Sequence, residues 1–454
     1  MLKKLKVKLD NITPAQAILS FYFIAVTVSV LLLSIPAVHQ EGVKVSLMDT
    51  IFTAISSVSV TGLSVINISE TYSVFGIFVL MFVFQFGGIG VMSLGTFFWL
   101  IFGKKIGLRG RQLIMVDHNQ TSLSGLVALI IEILKMILLI EFVGALVLGF
   151  HFLQYYPTFW EAMLNGLFMS VSATTNAGLD ITGASLMPFA NDYFVQLINI
   201  ILLTLGAIGF PVLIEVKNYL FHKEESSLPF RFSLFTKITT IMFAGLLIIG
   251  TLLILLLEFQ HFFKGMVWHK SLFYAFFQSA TTRSGGLATM DVSEFTSPTL
   301  LVISLLMFIG ASPSSVGGGI RTTTLALNIL FLYHFARGRK DIKIFRREIH
   351  ETDILKSLAV TILAVIICFT AVVILSITEE HSLLEIIFEV CSAFGTTGLS
   401  MGITADLSFL GKWVIMLLMF IGRIGLVSLL LLLRGRGPDN EVNYHYPKEN
   451  LIIG

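Results

Sequence analysis

The chain has 454 residues, of which 55% are hydrophobic and only 13% are charged. Soluble domains usually carry about 25% charged residues, so this composition excludes a soluble globular protein of this size. The formal net charge of +2 says little by itself, and we expect no nucleic-acid partner.

Long apolar runs predict the membrane spans, because a helix needs about 20 apolar residues to cross the hydrocarbon core of a bilayer. Eight runs qualify, and one of them is interrupted. The first run follows four lysines, but it is too long for a secretion signal, whose apolar core has roughly 7–15 residues, so we predict a retained helix. The runs are 17–36, 74–102, 126–150, 194–213, 238–257, 300–309 with 325–335, 358–377 and 413–433.

Basic residues alternate with these spans. Five segments hold 22 of the 30 Lys and Arg residues: 1–10, 103–118, 217–237, 334–356 and 434–454. Because cytoplasmic loops carry the excess of Lys and Arg, the pattern predicts a multi-pass protein of the cell membrane with both termini in the cytoplasm. An even number of spans agrees with this orientation.

Four short polar segments interrupt the apolar pattern, and each ends in Gly-Leu. Their aligned glycines are 116, 108 and 112 residues apart, and a second landmark follows each glycine by 24 to 28 residues. Two landmarks that keep register in four places indicate a fourfold internal repeat. The polar segments are 59–63, 175–179, 283–287 and 395–399, and the second landmarks are 87–90, 206–209, 310–313 and 422–425.

Each repeat is predicted to contain an outer helix, a short half-helix, a polar loop and an inner helix. The half-helices (47–58, 160–173, 272–280 and 384–394) are too short to span a bilayer. Non-helical backbone at membrane depth is tolerated only inside protein or against water, so the four loops should line one cavity. The predicted fold is therefore an all-α polytopic membrane protein with four tandem helix–pore-loop–helix units around a central pseudo-fourfold pore.

The predicted boundaries follow from this repeat. They are a cytoplasmic N-terminus (1–12), pore unit 1 (13–117), pore unit 2 (118–230), pore unit 3 (231–350) with an intramembrane gating loop (310–320), pore unit 4 (351–436) and a C-terminal tail (437–454).

The loops have the chemistry of a cation filter. Rings of backbone carbonyls can replace the hydration shell of a cation, and glycine reaches the required positive φ at little steric cost. The half-helices precede the loops, so the negative ends of their dipoles should favour a cation. A single loop would be taken for a turn; four aligned copies favour a filter. The predicted ion-binding residues are Val60, Thr61, Gly62, Asn176, Ala177, Gly178, Ser284, Gly285, Gly286, Thr396, Thr397 and Gly398.

Acidic residues follow the loops at Glu70, Asp180, Asp291 and Asp406. A negative vestibule would concentrate cations at the entrance. The alternative is a solvated rim without effect on transport, and the sequence does not separate the two.

The third inner helix is interrupted by proline and three consecutive glycines, which break and loosen a helix. We interpret the interruption as a movable plug across the pore, with a static packing kink as the alternative. The predicted gating residues are Gly310, Ser312, Pro313, Ser314, Ser315, Gly317, Gly318, Gly319 and Arg423.

Three arginines and one lysine lie within the apolar or loop segments. A charge at membrane depth is costly and usually functional, so Arg423 is predicted to form an electrostatic barrier or to hold the plug by hydrogen bonds, with a structural ion pair as the alternative. Arg321 should anchor the plug and Arg283 should brace the third loop. Lys135 lies three residues from Glu132, which suits an ion pair on one helix.

Other functions lack support in the sequence. There is no repeated basic residue typical of a voltage sensor, no nucleotide-binding glycine motif and no catalytic cluster, so an enzyme is not expected. An alternating-access carrier for a small solute is the main alternative, because carriers also use broken helices near the midplane. Four equal units argue against it, since carriers usually show two repeats.

The chain resembles the Trk/Ktr/HKT superfamily of potassium transporters, and most closely the Ktr-type membrane subunit. The resemblance covers nearly the whole chain and rests on the four Gly-Leu segments and on the motifs at 173–178, 281–286, 312–324 and 422–425. It implies potassium as the transported ion, carried through filter carbonyls, with sodium dependence left open. Leu follows all four filter glycines, where this superfamily often has Phe.

The resemblance also implies partners. The expected assembly is a homodimer, controlled at the plug by a separate cytoplasmic ring of nucleotide-binding regulatory subunits. No covalent cofactor is expected, and any nucleotide would bind the regulatory subunit alone. A serine in the first filter is associated with sodium permeation in this superfamily, so Gly62 favours potassium.

Overall fold

The computed structural model describes residues 13–90, 111, 115, 125–221, 230–339, 341–433, 447 and 449. The chain is helical over most of these residues, with one short antiparallel hairpin of β1 (Lys343–Ile344) and β2 (Arg347–Glu348). The predicted N-terminal segment 1–12 and nearly all of the predicted tail 437–454 lie outside the described residues.

The helices follow the predicted order of outer helix, half-helix and inner helix four times. The helices are α1 Pro14–Leu33, α2 Leu47–Ser59, α3 Ile68–Thr71, α4 Val74–Ile89, α5 Leu126–Phe152, α6 Phe159–Thr174, α7 Tyr193–Ala207, α8 Phe210–Leu220, α9 Leu234–Glu258, α10 Trp268–Thr281, α11 Ser297–Ile309, α12 Thr322–Ala336, α13 Glu351–Thr378, α14 Leu383–Gly395, α15 Phe409–Ile424 and α16 Leu426–Leu433. The outer helices are α1, α5, α9 and α13, the half-helices are α2, α6, α10 and α14, and the inner helices are α4, α7–α8, α11–α12 and α15–α16.

The inner helices differ from the prediction of a single interrupted span, which is wrong. α7 and α8 meet at 106° and α15 and α16 at 96°, so the second and fourth inner helices are also broken. The breaks lie at Gly209 (φ 105°) and Gly425 (φ 86°), a conformation that favours glycine. α4 likewise ends at Gly90 (φ 96°), and the rest of its predicted span lies outside the described residues.

A link between the end of each outer helix and the start of the inner helix recurs in all four units with different chemistry. In unit 1 Ser73 N–H donates to the carbonyl of Val38 at 2.9 Å, beyond α1. In unit 2 His151 contacts Asp192 at 2.6 Å. In units 3 and 4 a glutamate accepts a backbone N–H: Glu258 from Thr296 at 2.8 Å, and Glu379 from Ser408 at 2.9 Å. Each acceptor or partner orients the first turn of an inner helix.

The units pack in a closed cycle, in which each inner helix contacts the half-helix of the next unit. Three boundaries use aromatic or histidine contacts, and the boundary between units 4 and 1 is closed by an ion pair between residues 363 positions apart in the chain. The pairs are Phe84 with Phe168 (ring centroids 5.7 Å apart), Tyr193 Oη with His269 Nδ1 (2.7 Å), Phe308 with Phe394 (5.4 Å) and Lys412 Nζ with Asp49 Oδ1 (2.9 Å).

The predicted pairing of Lys135 with Glu132 is wrong. Glu132 instead contacts Lys217 Nζ at 2.8 Å, which reaches it from α8. Lys135 is exposed on α5. Glu132 does not pair with the lysine three residues later on its own helix, because α8 packs against α5 and brings the Lys217 ammonium group closer.

Candidate functional site

The filter segments are residues 60–62, 176–178, 284–286 and 396–398, and they share one unusual backbone conformation. In each segment the first residue and the glycine have positive φ. The first residues are Val60 (55°), Asn176 (53°), Ser284 (64°) and Thr396 (48°), and the glycines are Gly62 (93°), Gly178 (67°), Gly286 (73°) and Gly398 (94°). Positive φ at a β-branched residue such as Val60 or Thr396 is a genuine outlier, and outliers of this kind cluster at functional sites.

The four filter glycines form a closed ring in chain order. A Cβ atom on Gly62 would lie 2.6 Å from the Ala177 carbonyl oxygen, and one on Gly178 would lie 2.8 Å from the Cα of Gly286. A Cβ on Gly286 would lie 2.5 Å from the Thr397 carbonyl oxygen. A Cβ on Gly398 would collide with the Thr61 carbonyl oxygen, which returns the ring to unit 1. Each segment therefore needs glycine because its neighbour's backbone occupies the space of a side chain.

Hydroxyl groups at the ends of the half-helices hold the filter segments in place. In units 1 and 4 the glycine N–H donates to a serine Oγ, from Gly62 to Ser56 at 3.2 Å and from Gly398 to Ser392 at 3.1 Å. In units 2 and 3 the hydroxyl instead donates to the carbonyl of the following leucine. These bonds run from Ser172 to Leu179 and from Thr281 to Leu287, both at 2.6 Å. The sequence prediction omitted these hydroxyls, although Ser56, Ser172 and Ser392 share one repeat position six residues before the filter glycine.

The glycines that follow each filter glycine by 24 to 28 residues are required by close packing between helices. Cβ atoms on Gly87, Gly206 and Gly422 would collide with carbonyl oxygens at the ends of the half-helices. In each case the carbonyl lies four residues before the filter glycine of the same unit. The glycines therefore let the inner helices approach the half-helices closely. The carbonyls belong to Val58, Thr174 and Phe394.

Unit 3 departs from this rule at Gly310. A Cβ there would meet the gating loop itself, at the Gly318 carbonyl, and Gly310 has φ 68°. Arg283 bonds to the backbone of this inner helix: its Nη2 donates to the Leu306 carbonyl at 2.6 Å and its Nη1 to the Gly310 carbonyl at 3.3 Å. Arg283 is only 1% exposed. It thus connects the third filter loop to the point where the inner helix breaks.

The gating loop packs directly against filter segments 3 and 4. Gly318 N–H donates to Ser284 Oγ at 3.2 Å, and the same hydroxyl donates to the Gly395 carbonyl at 2.8 Å. A Cβ on Gly318 would lie 2.6 Å from Thr396 Oγ1. Val316 N–H donates to the Gly206 carbonyl at 3.1 Å, so the loop also reaches the second inner helix.

The other predicted gating residues make contacts within the loop and with the start of α8. Arg321 Nη1 donates to the carbonyls of Ser312, at 3.3 Å, and Gly317. Ser315 Oγ donates to the Ser312 carbonyl at 2.6 Å. The Ser314 carbonyl accepts from Phe210 N–H at 2.9 Å. A Cβ on Gly209 would lie 2.8 Å from the Pro313 carbonyl oxygen, and Gly319 has φ 82°.

Arg423 lies on α15, where its Nη2 donates to the carbonyls of Gly87 and Gly88, the latter at 3.1 Å. These bonds join units 4 and 1. Among the described residues no hydrogen bond runs from Arg423 to the gating loop, so the predicted direct bonding to the plug is not seen. Arg321 and Arg423 both line a cavity of about 90 Å³ that the gating loop borders through Ser315 and Gly319.

The four acidic residues after the filters differ in their contacts. Asp180 accepts hydrogen bonds from Thr182 and Gly183, and Asp291 accepts from Ser293, so both hold local turns. Glu70 and Asp406 are exposed. Among the described residues no group of three His, Cys, Asp or Glu residues is arranged to hold a metal ion. Ion contacts at the ring would come from backbone carbonyls, whose oxygens suit a hard monovalent cation.

The fold and the ring define the class: a polytopic all-α membrane protein with four re-entrant loops around one axis. The family model for TrkH, described as a cation transport protein, matches residues 6–443, and the chain belongs to this family. The predicted resemblance to the Trk/Ktr superfamily is confirmed, and the family is one of transport proteins rather than enzymes.

Individual relatives agree with this assignment. The chain is 59% identical to the Ktr system potassium uptake protein D of Bacillus subtilis over 98% of each chain. It is 34% identical to the Ktr system potassium uptake protein B of the same organism over 99% of this chain and 98% of the relative. The crystal structure of the potassium transporter TrkH from Vibrio parahaemolyticus matches with a TM-score of 0.71 at 18% identity, covering 92% of this chain and 84% of that one.

Proposed function

We propose that this protein is the membrane subunit of a potassium uptake system, and that it passes dehydrated potassium through a ring of backbone carbonyls from the four filter segments. The closed ring of Gly62, Gly178, Gly286 and Gly398 carries the proposal. Two relatives named potassium uptake proteins, one of them 59% identical, support the choice of ion.

The filter works by replacing water. Left-handed residues at two positions in each segment turn successive carbonyls, so that oxygens from four segments can surround one ion. The half-helices end directly at the segments, since Val60 and Thr396 are the C-cap residues of α2 and α14. The negative ends of the helix dipoles then stabilise a cation at the ring.

The gating loop controls passage at the inner side of the ring. Its backbone contacts Ser284 and Thr396, two of the filter residues, so a loop in this position blocks the path that the ion must take. Arg321 keeps the loop compact through its two carbonyl contacts. Arg423 adds positive charge to the cavity beside the loop, which raises the barrier for a cation there.

The assembly and orientation are part of the same proposal. The basic segments support a cytoplasmic location for both termini. A homodimer and a cytoplasmic ring of nucleotide-binding regulatory subunits fit the family. The regulatory subunits would act on the gating loop.

The test is ion flux into proteoliposomes, measured for potassium and sodium with the native chain and with Gly62→Ser. Selective potassium flux, together with a lower potassium-to-sodium ratio in the variant, is expected because a Cβ at residue 62 displaces the Ala177 carbonyl. No potassium flux, or flux indifferent to residue 62, would refute the filter. Saturating flux at low turnover would favour the alternating-access carrier.

A further inference from the structure

A buried carboxyl group lies behind the fourth filter and has no part in the mechanism above. Glu389 is on half-helix α14 and its side chain is fully buried. The repeat places Thr53, Met169 and Phe277 at the same position in units 1, 2 and 3, nine residues before the filter glycine. The acidic residue is therefore specific to unit 4.

Glu389 binds the chain that leaves the fourth filter. Its Oε1 accepts a hydrogen bond from Thr404 Oγ1, and Thr404 Oγ1 lies 2.9 Å from Ser400 Oγ. Ser400 Oγ in turn accepts from Gly402 N–H at 3.0 Å. A threonine hydroxyl has one proton, and Thr404 directs it to a pair of acceptors, Glu389 Oε1 and Ser400 Oγ. The loop at 400–404 is thus organised by one carboxyl group.

Ser392 makes a second contact between the same face of α14 and the fourth filter segment. Ser392, one turn after Glu389, accepts from the Gly398 N–H through its Oγ and from the Thr397 N–H through its carbonyl, the latter at 2.8 Å. Residues three apart lie on one face of a helix. α14 therefore holds this part of the chain at two places: Ser392 binds the filter at Gly398, and Glu389 binds the loop at 400–404 that follows it.

In the described part of the chain the other three units have no carboxyl group at this position of the half-helix. At the matching place Thr53 donates to the Asp49 carbonyl of its own helix, and Met169 and Phe277 are apolar. Asp180 holds its turn after filter 2 from within the loop rather than from the half-helix. A buried carboxyl is costly, and Oε2 of Glu389 is buried with no hydrogen-bond partner in the described part of the chain. The cost is consistent with a specific role.

We infer that Glu389 is a positioning residue for ion selectivity: it fixes segment 399–404 against α14 and thereby sets the geometry of the fourth filter. The inference rests on the proposed potassium filter. A hydrogen-bond acceptor at residue 389 is the requirement, so a glutamine, which retains an acceptor oxygen, should serve nearly as well as the glutamate.

The experiment compares Glu389→Gln, Glu389→Ala and Thr404→Val with the native chain in proteoliposomes, together with amide hydrogen exchange of the purified proteins. Glu389→Ala and Thr404→Val should each lower the potassium-to-sodium flux ratio by about fivefold or more, as expected for the loss of one buried hydrogen bond. Both should also speed exchange at 399–404. Glu389→Gln should remain within about twofold of native on both measures.

The matched control is Glu379→Ala, which removes another carboxyl group of unit 4 that caps α15 through Ser408. It should lower the melting temperature but leave selectivity unchanged, which separates general destabilisation from an effect on the filter. Native selectivity and native exchange in Glu389→Ala would overturn the inference. A Glu389→Gln variant as defective as the alanine, beside a normal Thr404→Val, would assign the effect to charge and would also overturn it.

The two proposals fail in different ways. If the native chain carries no potassium, the proposed function fails, and hydrogen exchange still decides whether Glu389 positions 399–404. If the native chain is selective and Glu389→Ala is equally selective, the filter stands and the role of Glu389 is refuted.

Discussion

The filter ring and the gating loop lie in contact but are built differently. The ring uses one local design four times, and each glycine is fixed by the backbone of the next unit. The gating loop occurs once. It bonds to the ring through Gly318 N–H and Ser284 Oγ, and to the second inner helix through bonds between Val316 and Gly206, Ser312 and Ala207, and Ser314 and Phe210. The loop is thus held by separate hydrogen bonds rather than by interlocking glycines, and this difference suits a rigid filter beside a movable gate.

The largest effect should come from a methyl group placed in the ring. Gly398 has φ 94° and Gly265, in the connection between α9 and α10, has φ 82°, so alanine causes backbone strain of about 1–2 kcal/mol at either position. A Cβ at residue 398 collides with the Thr61 carbonyl, whereas a Cβ at residue 265 meets nothing within 4 Å. Gly398→Ala should reduce potassium flux in proteoliposomes by about tenfold or more, as for a loss above 1.4 kcal/mol, and Gly265→Ala should change it little. Equal losses in the two variants would show that strain alone, and not ring closure, limits flux.

A smaller effect, of opposite sign, is expected at the contact between ring and loop. Ser284→Ala removes the acceptor of the Gly318 N–H, a bond that the docked loop makes and the displaced loop lacks. Loss of about 1 kcal/mol should raise potassium flux without regulatory subunits by about fivefold.

The control for this variant is Ser279→Ala. It removes a hydroxyl of α10, the half-helix that precedes this filter segment, and that hydroxyl bonds to the Leu247 carbonyl, away from the loop. It should leave the flux unchanged. A Ser284→Ala variant with native or lower flux would mean that this hydroxyl does not hold the gate shut.

Substitutions at the ion pair between units 4 and 1 should have a smaller effect, and on stability rather than on flux. The Asp49–Lys412 pair closes the cycle between units 1 and 4, and its side chains are 24% and 16% exposed. A double-mutant cycle with Asp49→Asn and Lys412→Met should give a coupling of about 1 kcal/mol in thermal unfolding of the detergent-solubilised protein. Additive single effects would show that aromatic packing at the other three boundaries is sufficient.

The smallest expected effect is on the pH dependence of the melting temperature, through Glu379. Burial raises the pKa of Glu379, but hydrogen bonds from Ser408 outweigh it and lower that pKa below its usual value of 4.5. The stabilisation is therefore complete above the usual carboxyl range and is lost as pH falls through the lowered pKa. Melting temperatures measured from pH 7 to pH 3 should fall less steeply for Glu379→Gln than for native protein. Parallel curves would refute the role of this cap.

Much of the fold could be predicted from the sequence. The four half-helices begin and end within four residues of their predicted bounds, because apolar runs and recurring Gly-Leu segments report length and register directly. The structure also brings all twelve predicted filter residues into one place. Their role as ion ligands remains a prediction.

What the sequence did not reveal depends on contacts between distant residues. The bends at Gly209 and Gly425 lie inside continuous apolar runs, where hydropathy gives no sign of backbone direction. The positive φ of Val60 is imposed by its surroundings against its own preference. Lys217 reaches Glu132 across 85 positions of the chain, which local spacing could not indicate.

Each outer helix is linked to the start of its inner helix by a different contact: a serine N–H, a histidine with an aspartate, and two glutamates. Such variety is possible because one continuous polypeptide forms all four units. In a pore made of four identical chains every substitution appears at all four corners at once. Here a change alters one corner and leaves three intact. Natural selection can therefore adjust one quarter of such a pore at a time, and each corner can acquire its own chemistry without disturbing the other three.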